Sequence, residues 1–352
     1  MSQPRKPIRW TLRVRPYARP QDARSVLEAL LTFLPFAGLW AGAAWAAGHL
    51  AWAVPALDLA AALFLVRVFI LQHDAGHGSF FQRAAWNDRL GFWAGVLTLT
   101  PYAHWRLTHA RHHATSGNLD KRGVGDVHTL TLAEYLEAPP RRRLLYRLYR
   151  HPLTMFLLGP IAIFMLGYRL PLGYGGDRPA VRRGVALTNL ALLGLWTGIA
   201  LFLGWRVFLL VYLPVQYLAG MIGIFLFYVQ HQFEDAYWEE DPNWQYLRAA
   251  MEGSSYLKLP RPLDWLTGHI GFHHVHHLAP KIPSYRLAEA HREVAWMQAA
   301  PTVTLRDALG VAFADLHLYD QKKGRLVGFK DAARILAARK LKACPATPTP
   351  SR

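Results

Sequence analysis

The sequence predicts an all-α integral membrane protein: four transmembrane helices in two hairpins, with interfacial helices and a cytoplasmic cap that carries dense histidine stretches. Three observations lead there. Hydrophobic residues make up 52% of the 352-residue chain and charged residues only 18%. The apolar residues cluster: Val26 to Leu71 holds only Glu28, Asp58 and Arg67 as charges, and Gly184 to Val229 only Arg206. Histidine is concentrated at 73–77, 104–113, 231 and 269–277, each stretch at or just beyond the end of an apolar run.

The elements follow in order. Residues 1–25 are basic and Pro-rich, with no apolar core or cleavage site of a signal peptide, and are expected to form a cytoplasmic arm. A span needs roughly 20 apolar residues to cross a hydrocarbon core of about 30 Å. Spans over about 26–47 and 56–71, joined by GHLAWAVP, make the first hairpin. Leu90 to Tyr102 is apolar but short, which suits an interfacial or re-entrant segment. Met155 to Tyr168, with Gly159-Pro160 inside it, is barely long enough to span. Arg clusters on both its flanks place both ends on the cytoplasmic side, so it too is interfacial or re-entrant. Spans over 185–203 and 207–228 form the second hairpin around Gly204-Trp205. The membrane domain thus covers 26–300. Residues 301–352 are expected to be a cytoplasmic extension with a disordered tail, ACPATPTPSR.

The net charge is +17. No nucleic-acid fold motif accompanies it, so nucleic-acid binding is set aside. The basic residues pile up at Arg5 to Arg24, Arg141 to Arg150, Arg178 to Arg183 and Lys322 to Lys342, the pattern of positive-inside topology beside anionic lipid heads. The single cysteine, Cys344, excludes an internal disulfide framework and a cysteine-based zinc site.

The histidines carry the chemistry. His73 and His77 are spaced i, i+4, so on a helix continuing from the second span they project from one face. His109 and His113 repeat that spacing with His112 at i+3, and His273 and His277 repeat it with His276 at i+3. His269 lies four before His273 and extends the same face; His231 closes the span before it. A lone HxxxH is common on ordinary helices. Three such stretches on one side of a membrane are not explained by a solvated surface, and packing does not need them. Without a metal they would leave unpaired polar atoms in apolar surroundings, which is costly. Neutral imidazole is the commonest metal ligand. One tetrahedral ion takes three or four ligands, so this many histidines suggest two ions. Nitrogen ligation suits iron, copper, zinc or nickel.

The flanking residues of these stretches, VRVFILQHDAGHGSFF, HWRLTHARHHATSGN, FYVQHQFEDAYW and GFHHVHHLAPKIPSYRL, resemble the membrane fatty acid desaturases, most of all the omega-6 (delta-12-like) acyl-lipid branch. The resemblance covers about residues 30–300. It implies four spans and a cytoplasmic cap around a non-haem di-iron centre that uses dioxygen and two electrons to remove two hydrogens from an acyl chain. It implies His73, His77, His109, His112, His113, His273, His276 and His277 as ligands, with His231 as a further one. His269 departs from the family, where many members have Asn; a direct ligand, a water-mediated one and a supporting residue are all open to it. His274 points another way on a helix. Asp74, Glu234 and Asp235 adjoin ligand histidines and are read as carboxylates that fix imidazole tautomers. His104 is read as supporting the ligands or as a hydrogen-bonded structural histidine. Arg67, a charge within a span, either snorkels to the interface or pairs with an acid.

Two rivals share some of these features. A hydroxylase, ketolase or other oxygenase of the same histidine-rich superfamily, acting on a lipid or carotenoid, would differ in channel shape, although the flanking motifs favour desaturation. A divalent-metal transporter would place its ligands near the midplane on broken helices, whereas these lie beyond the spans. The chain shows no haem domain and no flavin or nicotinamide fingerprint. Electrons are therefore expected from a separate ferredoxin or small cytochrome with its reductase. The expected setting is a bacterial inner membrane, with the active site and both termini cytoplasmic and membrane-lipid acyl chains as substrate.

Overall fold

A computed structural model describes residues 10–343. Four helices are long and apolar enough to cross a membrane: Asp22–His49, Ala51–His77, Pro179–Leu203 and Trp205–His231. Each is longer than the expected span, the second most of all, where Ala51–His77 stands against an expected 56–71. The first hairpin turns at Leu50 through a single 3-10 turn, Ala51–Ala53, and Pro55 sits at the start of the next helix, where its missing N–H costs nothing. Ala43, Ala46 and Ala47 of the first helix and Ala61 and Ala62 of the second are all buried in one cluster, small residues that let the two backbones approach closely. The second hairpin turns at Gly204, whose φ of 85° suits glycine. The second spanning helix is the central one, more than half buried where the others are mostly lipid-facing.

Arg67, on that helix, is buried and pairs with Glu28 of the first helix. Its Nε donates to Thr32 Oγ1 at 3.0 Å, its guanidinium lies 4.0 Å over the Trp265 ring, and it donates to the Trp265 carbonyl. Of the two expectations for Arg67, pairing with an acid is the one found. Ala84–Leu97 is a short helix packed on the second spanning helix. The Gly159-Pro160 segment forms π-helical turns, Thr154–Leu158 and Ile161–Leu166, bent 65° from Pro140–Arg150 and lying against the fourth spanning helix.

The cap is not purely helical. Leu130–Thr131 pairs in parallel with Leu318–Asp320, which pairs antiparallel with Arg325–Val327; Tyr256–Lys258 pairs in parallel with Thr302–Thr304. The C-terminal extension is thereby stitched into the cap, and Phe329–Ala343 follows as a helix. Arg150, fully buried, adds a knot: it donates to Thr129 Oγ1, Gln232 Oε1 and the carbonyls of His128 and Leu316. Part of the basic arm is docked as well. Trp10–Val14 is helical, Tyr17 donates to Glu293 at 2.8 Å, and Arg286 donates to the Pro16 carbonyl. Of the expected disordered tail, Ala343 closes that helix, and the residues from Cys344 on lie outside the described residues.

Candidate metal centre

Four chain segments bring the histidines together. His73 and His77 occupy the last turns of the second spanning helix, which stops at Gly78 (φ 62°). There Gly78 N–H donates to the Ala75 carbonyl and Ser79 N–H to the Asp74 carbonyl, a Schellman ending that fixes where the helix stops. Tyr102–Thr115 carries His109, His112 and His113 on one short helix. His231 is the last residue of the fourth spanning helix, and His273–Leu278 is a helix of its own.

The imidazoles sort into two groups. Ligand atoms of His73, His77, His109, His113 and His276 all lie within 4.8 Å of one another, and so do those of His112, His231 and His277. His273 stands beside the second group, its Nε2 2.9 Å from that of His231. Each HxxHH stretch is split between the groups. His109 and His113 go to the first and His112 to the second; His273 and His277 go to the second and His276 to the first. Positions i+3 and i+4 lie about 100° apart around a helix axis, so adjacent histidines fan to two sides. That is a physical reason for the paired HH in both stretches.

These residues fit metal ions. Nε2 atoms face one another at 2.9 Å (His276–His113), 3.1 Å (His113–His109) and 3.3 Å (His112–His277). Two ligands about 2.1 Å from one ion at right angles stand about 3.0 Å apart. Burial pushes His109, His113, His273, His276 and His277 well below the ordinary histidine pKa, and neighbouring imidazoles push the same way. The rings are therefore neutral, with lone pairs available. Several ring nitrogens, among them His77 Nε2, are buried with no hydrogen-bond partner.

The supporting groups differ from those expected. Asp74 is 3.5 Å from His73 Nδ1, but its other oxygen accepts from the Ser284 N–H at 2.7 Å, so it also ties the helix Ser284–Glu293 to the second spanning helix. Glu234 and Asp235 do not support imidazoles. Both are exposed: the helix ends at His231 and the chain turns outward, Glu234 pairs with Arg325, and Asp235 lines a surface groove with Glu239 and Glu240. His104 packs against Tyr168 at 6.1 Å with the backbone of Leu172 and Tyr174 beside its ring, and burial lowers its pKa. His269 does not extend the His273 face. It lies in a turn with φ 58°, its Nδ1 donates to Asp264 Oδ2 at 2.7 Å, and it belongs to neither group. His274 points away, 3.0 Å from His291.

Two orienting contacts escaped the sequence reading. His112 Nδ1 donates to Asp126, and His231 Nδ1 donates to the Gly253 carbonyl at 3.2 Å. Each bond turns the opposite nitrogen of its ring, Nε2, into a lone-pair donor. Trp105 is stacked on His109 at 4.5 Å. His109, Trp105, Asp126 and Phe227 also line a cavity of about 450 Å³ whose remaining walls are mostly apolar and which reaches down the fourth spanning helix to Gln216.

A sequence profile of fatty acid desaturases matches residues 51–307. A fatty acid desaturase of Bacillus subtilis is 47% identical over 326 residues, 92% of this chain and 91% of that protein. An endoplasmic reticulum omega-3 fatty acid desaturase of Vigna radiata is 30% identical over 243 residues, 63% of this chain and 60% of that one. An sn-1 acyl-lipid omega-3 desaturase (ferredoxin) of Synechocystis is 29% identical over 233 residues, 63% of this chain and 62% of that one. This chain thus spans about three-fifths of the length of the last two.

Proposed function

The chain belongs to the fatty acid desaturase family, and from that premise we propose that it desaturates the acyl chain of a membrane lipid at a di-iron centre. The observation that carries the reading is the contact between the first imidazole group and an apolar cavity, made by His109. Iron and dioxygen supply an oxidant strong enough to break an unactivated C–H bond, which no acid or base in the chain can do. The reaction balances as one –CH2–CH2– unit, one O2, two electrons and two protons giving –CH=CH– and two waters.

The protein's share is placement. His73, His77, His109, His113 and His276 would hold one ion, and His112, His231, His273 and His277 the other. Asp126 and the Gly253 carbonyl orient the second set. Trp105 and Phe227 wall the cavity with apolar surface, excluding water from the reacting carbons. The motif resemblance favours an omega-6, delta-12-like product, whereas relatives carrying omega-3 names mark the other position to look for. The donor is a separate one-electron protein; ferredoxin, printed in the name of the Synechocystis relative, is the first to try, and a small cytochrome the second. The proposed setting is a bacterial inner membrane with the centre on the cytoplasmic face.

The test is expression in a bacterium with its own ferredoxin system, followed by mass-spectrometric profiling of total fatty acids, with His109→Ala as control. A new unsaturated chain, absent from the control, is expected. A hydroxylated product would replace this reading with the oxygenase one.

A further inference from the structure

Resting on that reading, we infer that Gly223 sets the length of acyl chain the enzyme accepts beyond the reacting carbons. The cavity wall on the fourth spanning helix is one face: Gln216, Ala219, Gly220, Gly223 and Phe227 follow an i, i+3, i+4, i+7, i+11 pattern, and His231 continues that face to the second imidazole group. Four glycines line the cavity, and three have a local reason to be glycine. A Cβ at Gly159 would meet Ile224 at 3.0 Å, and one at Gly220 would meet Phe164 and Pro160 at 3.1 Å. Gly125 has φ 72° and its Cβ would press on His112. Gly223 has helical φ, and a Cβ there finds nothing within 4 Å. Neither backbone conformation nor helix packing calls for glycine at 223, and glycine inside a helix costs about 1 kcal/mol relative to alanine. What its absent side chain leaves is open cavity.

Its depth gives the prediction a scale. Eight residues separate Gly223 from His231, about 12 Å along the helix. An extended alkyl chain advances about 1.25 Å per carbon, from a C–C bond near 1.5 Å. Gly223 therefore faces a point about nine or ten carbons from the centre, where the methyl-side tail of a long chain would lie.

The experiment compares Gly223→Leu and Gly223→Ala with Gly38→Leu, a lipid-facing glycine of the first helix that does not line the cavity. Cells are fed 14-, 16- and 18-carbon acids, and conversion ratios are measured with bound metal per chain. In Gly223→Leu, conversion of 18-carbon relative to 14-carbon chains should fall about tenfold or more, in the range a few methylenes command in an apolar pocket. Gly223→Ala should show a smaller shift in the same direction, and Gly38→Leu none, with metal content unchanged throughout. Unchanged ratios, or an equal fall at every length, would overturn the inference. A second readout needs no turnover: melting of the purified protein with 14- or 18-carbon lysophospholipid, where Gly223→Leu should lose the stabilisation by the longer lipid only. If wild type yields no desaturated product, the desaturase reading fails, and the melting comparison still decides the length question.

Discussion

The two imidazole groups are held in different ways. In the second group hydrogen bonds set two of the rings, with Asp126 behind His112 and the Gly253 carbonyl behind His231, while His273 Nδ1 is buried without a partner. In the first, His73 Nδ1 and His113 Nδ1 are buried without a hydrogen-bond partner, and packing sets the rings. His73 and His276 lie 4.2 Å apart between ring centres, and Trp105 is stacked on His109. Orientation by hydrogen bonding is directional and is lost by changing one atom. Orientation by packing is distributed and is lost only by removing bulk.

The largest expected effect breaks the first group outright. His276→Ala removes an imidazole whose Nε2 is 2.9 Å from that of His113. Activity should vanish, and bound metal should fall from about two ions per chain to about one; elemental analysis of purified protein checks this, and loss of both ions would mean the groups are not independent. Next is Asp126→Asn, which keeps the shape and removes the charged acceptor. Metal affinity of the second group alone should drop about 10–100-fold, read by chelator competition that resolves a weak and a strong ion.

Acid should act on the site as a whole. The folded-state pKa values of His109, His113, His273, His276 and His277 lie below the unfolded value near 6.5, mainly through burial. Above about pH 6.5 neither state binds these protons and stability is full. Below it the unfolded chain takes up protons the folded chain refuses, each worth about 1.4 kcal/mol per pH unit. The melting temperature of metal-free protein should therefore fall steadily between about pH 6.5 and 5; a flat profile would mean the rings are solvated. The smallest effect is expected of His269→Gln, since His269 belongs to neither group. Bound metal should be unchanged and activity within about threefold, a surface-like effect.

Which parts were legible follows from what each depends on. The spans showed because apolar composition over 20-odd residues is a property of the segment itself. The histidine pairs showed because helical spacing is local. Asp126 did not, because it reaches His112 from a loop 14 residues on, and only the glycines of GVGDV hinted at a chain folding back tightly. Glu234 and Asp235 were misread because adjacency in sequence was taken for adjacency in space, just where the helix ends. His269 was misread because helical spacing was carried across Gly268 and His269, both with left-handed backbone. The cap strands, two or three residues each, are too short to show a period.

The buried pairing of Arg67 with Glu28 bears on how the chain is made. Both partners belong to the first hairpin, 39 residues apart, so a nascent chain that has inserted this hairpin already has its membrane-buried arginine neutralised. The Trp265 carbonyl, 198 residues further on, emerges from the ribosome much later and meets a guanidinium already held in place. The last histidine stretch is thus moored to a finished hairpin. Neither imidazole group is complete until residues 273–277 have been synthesised, so a chain truncated before them lacks His276 of the first group and His277 of the second.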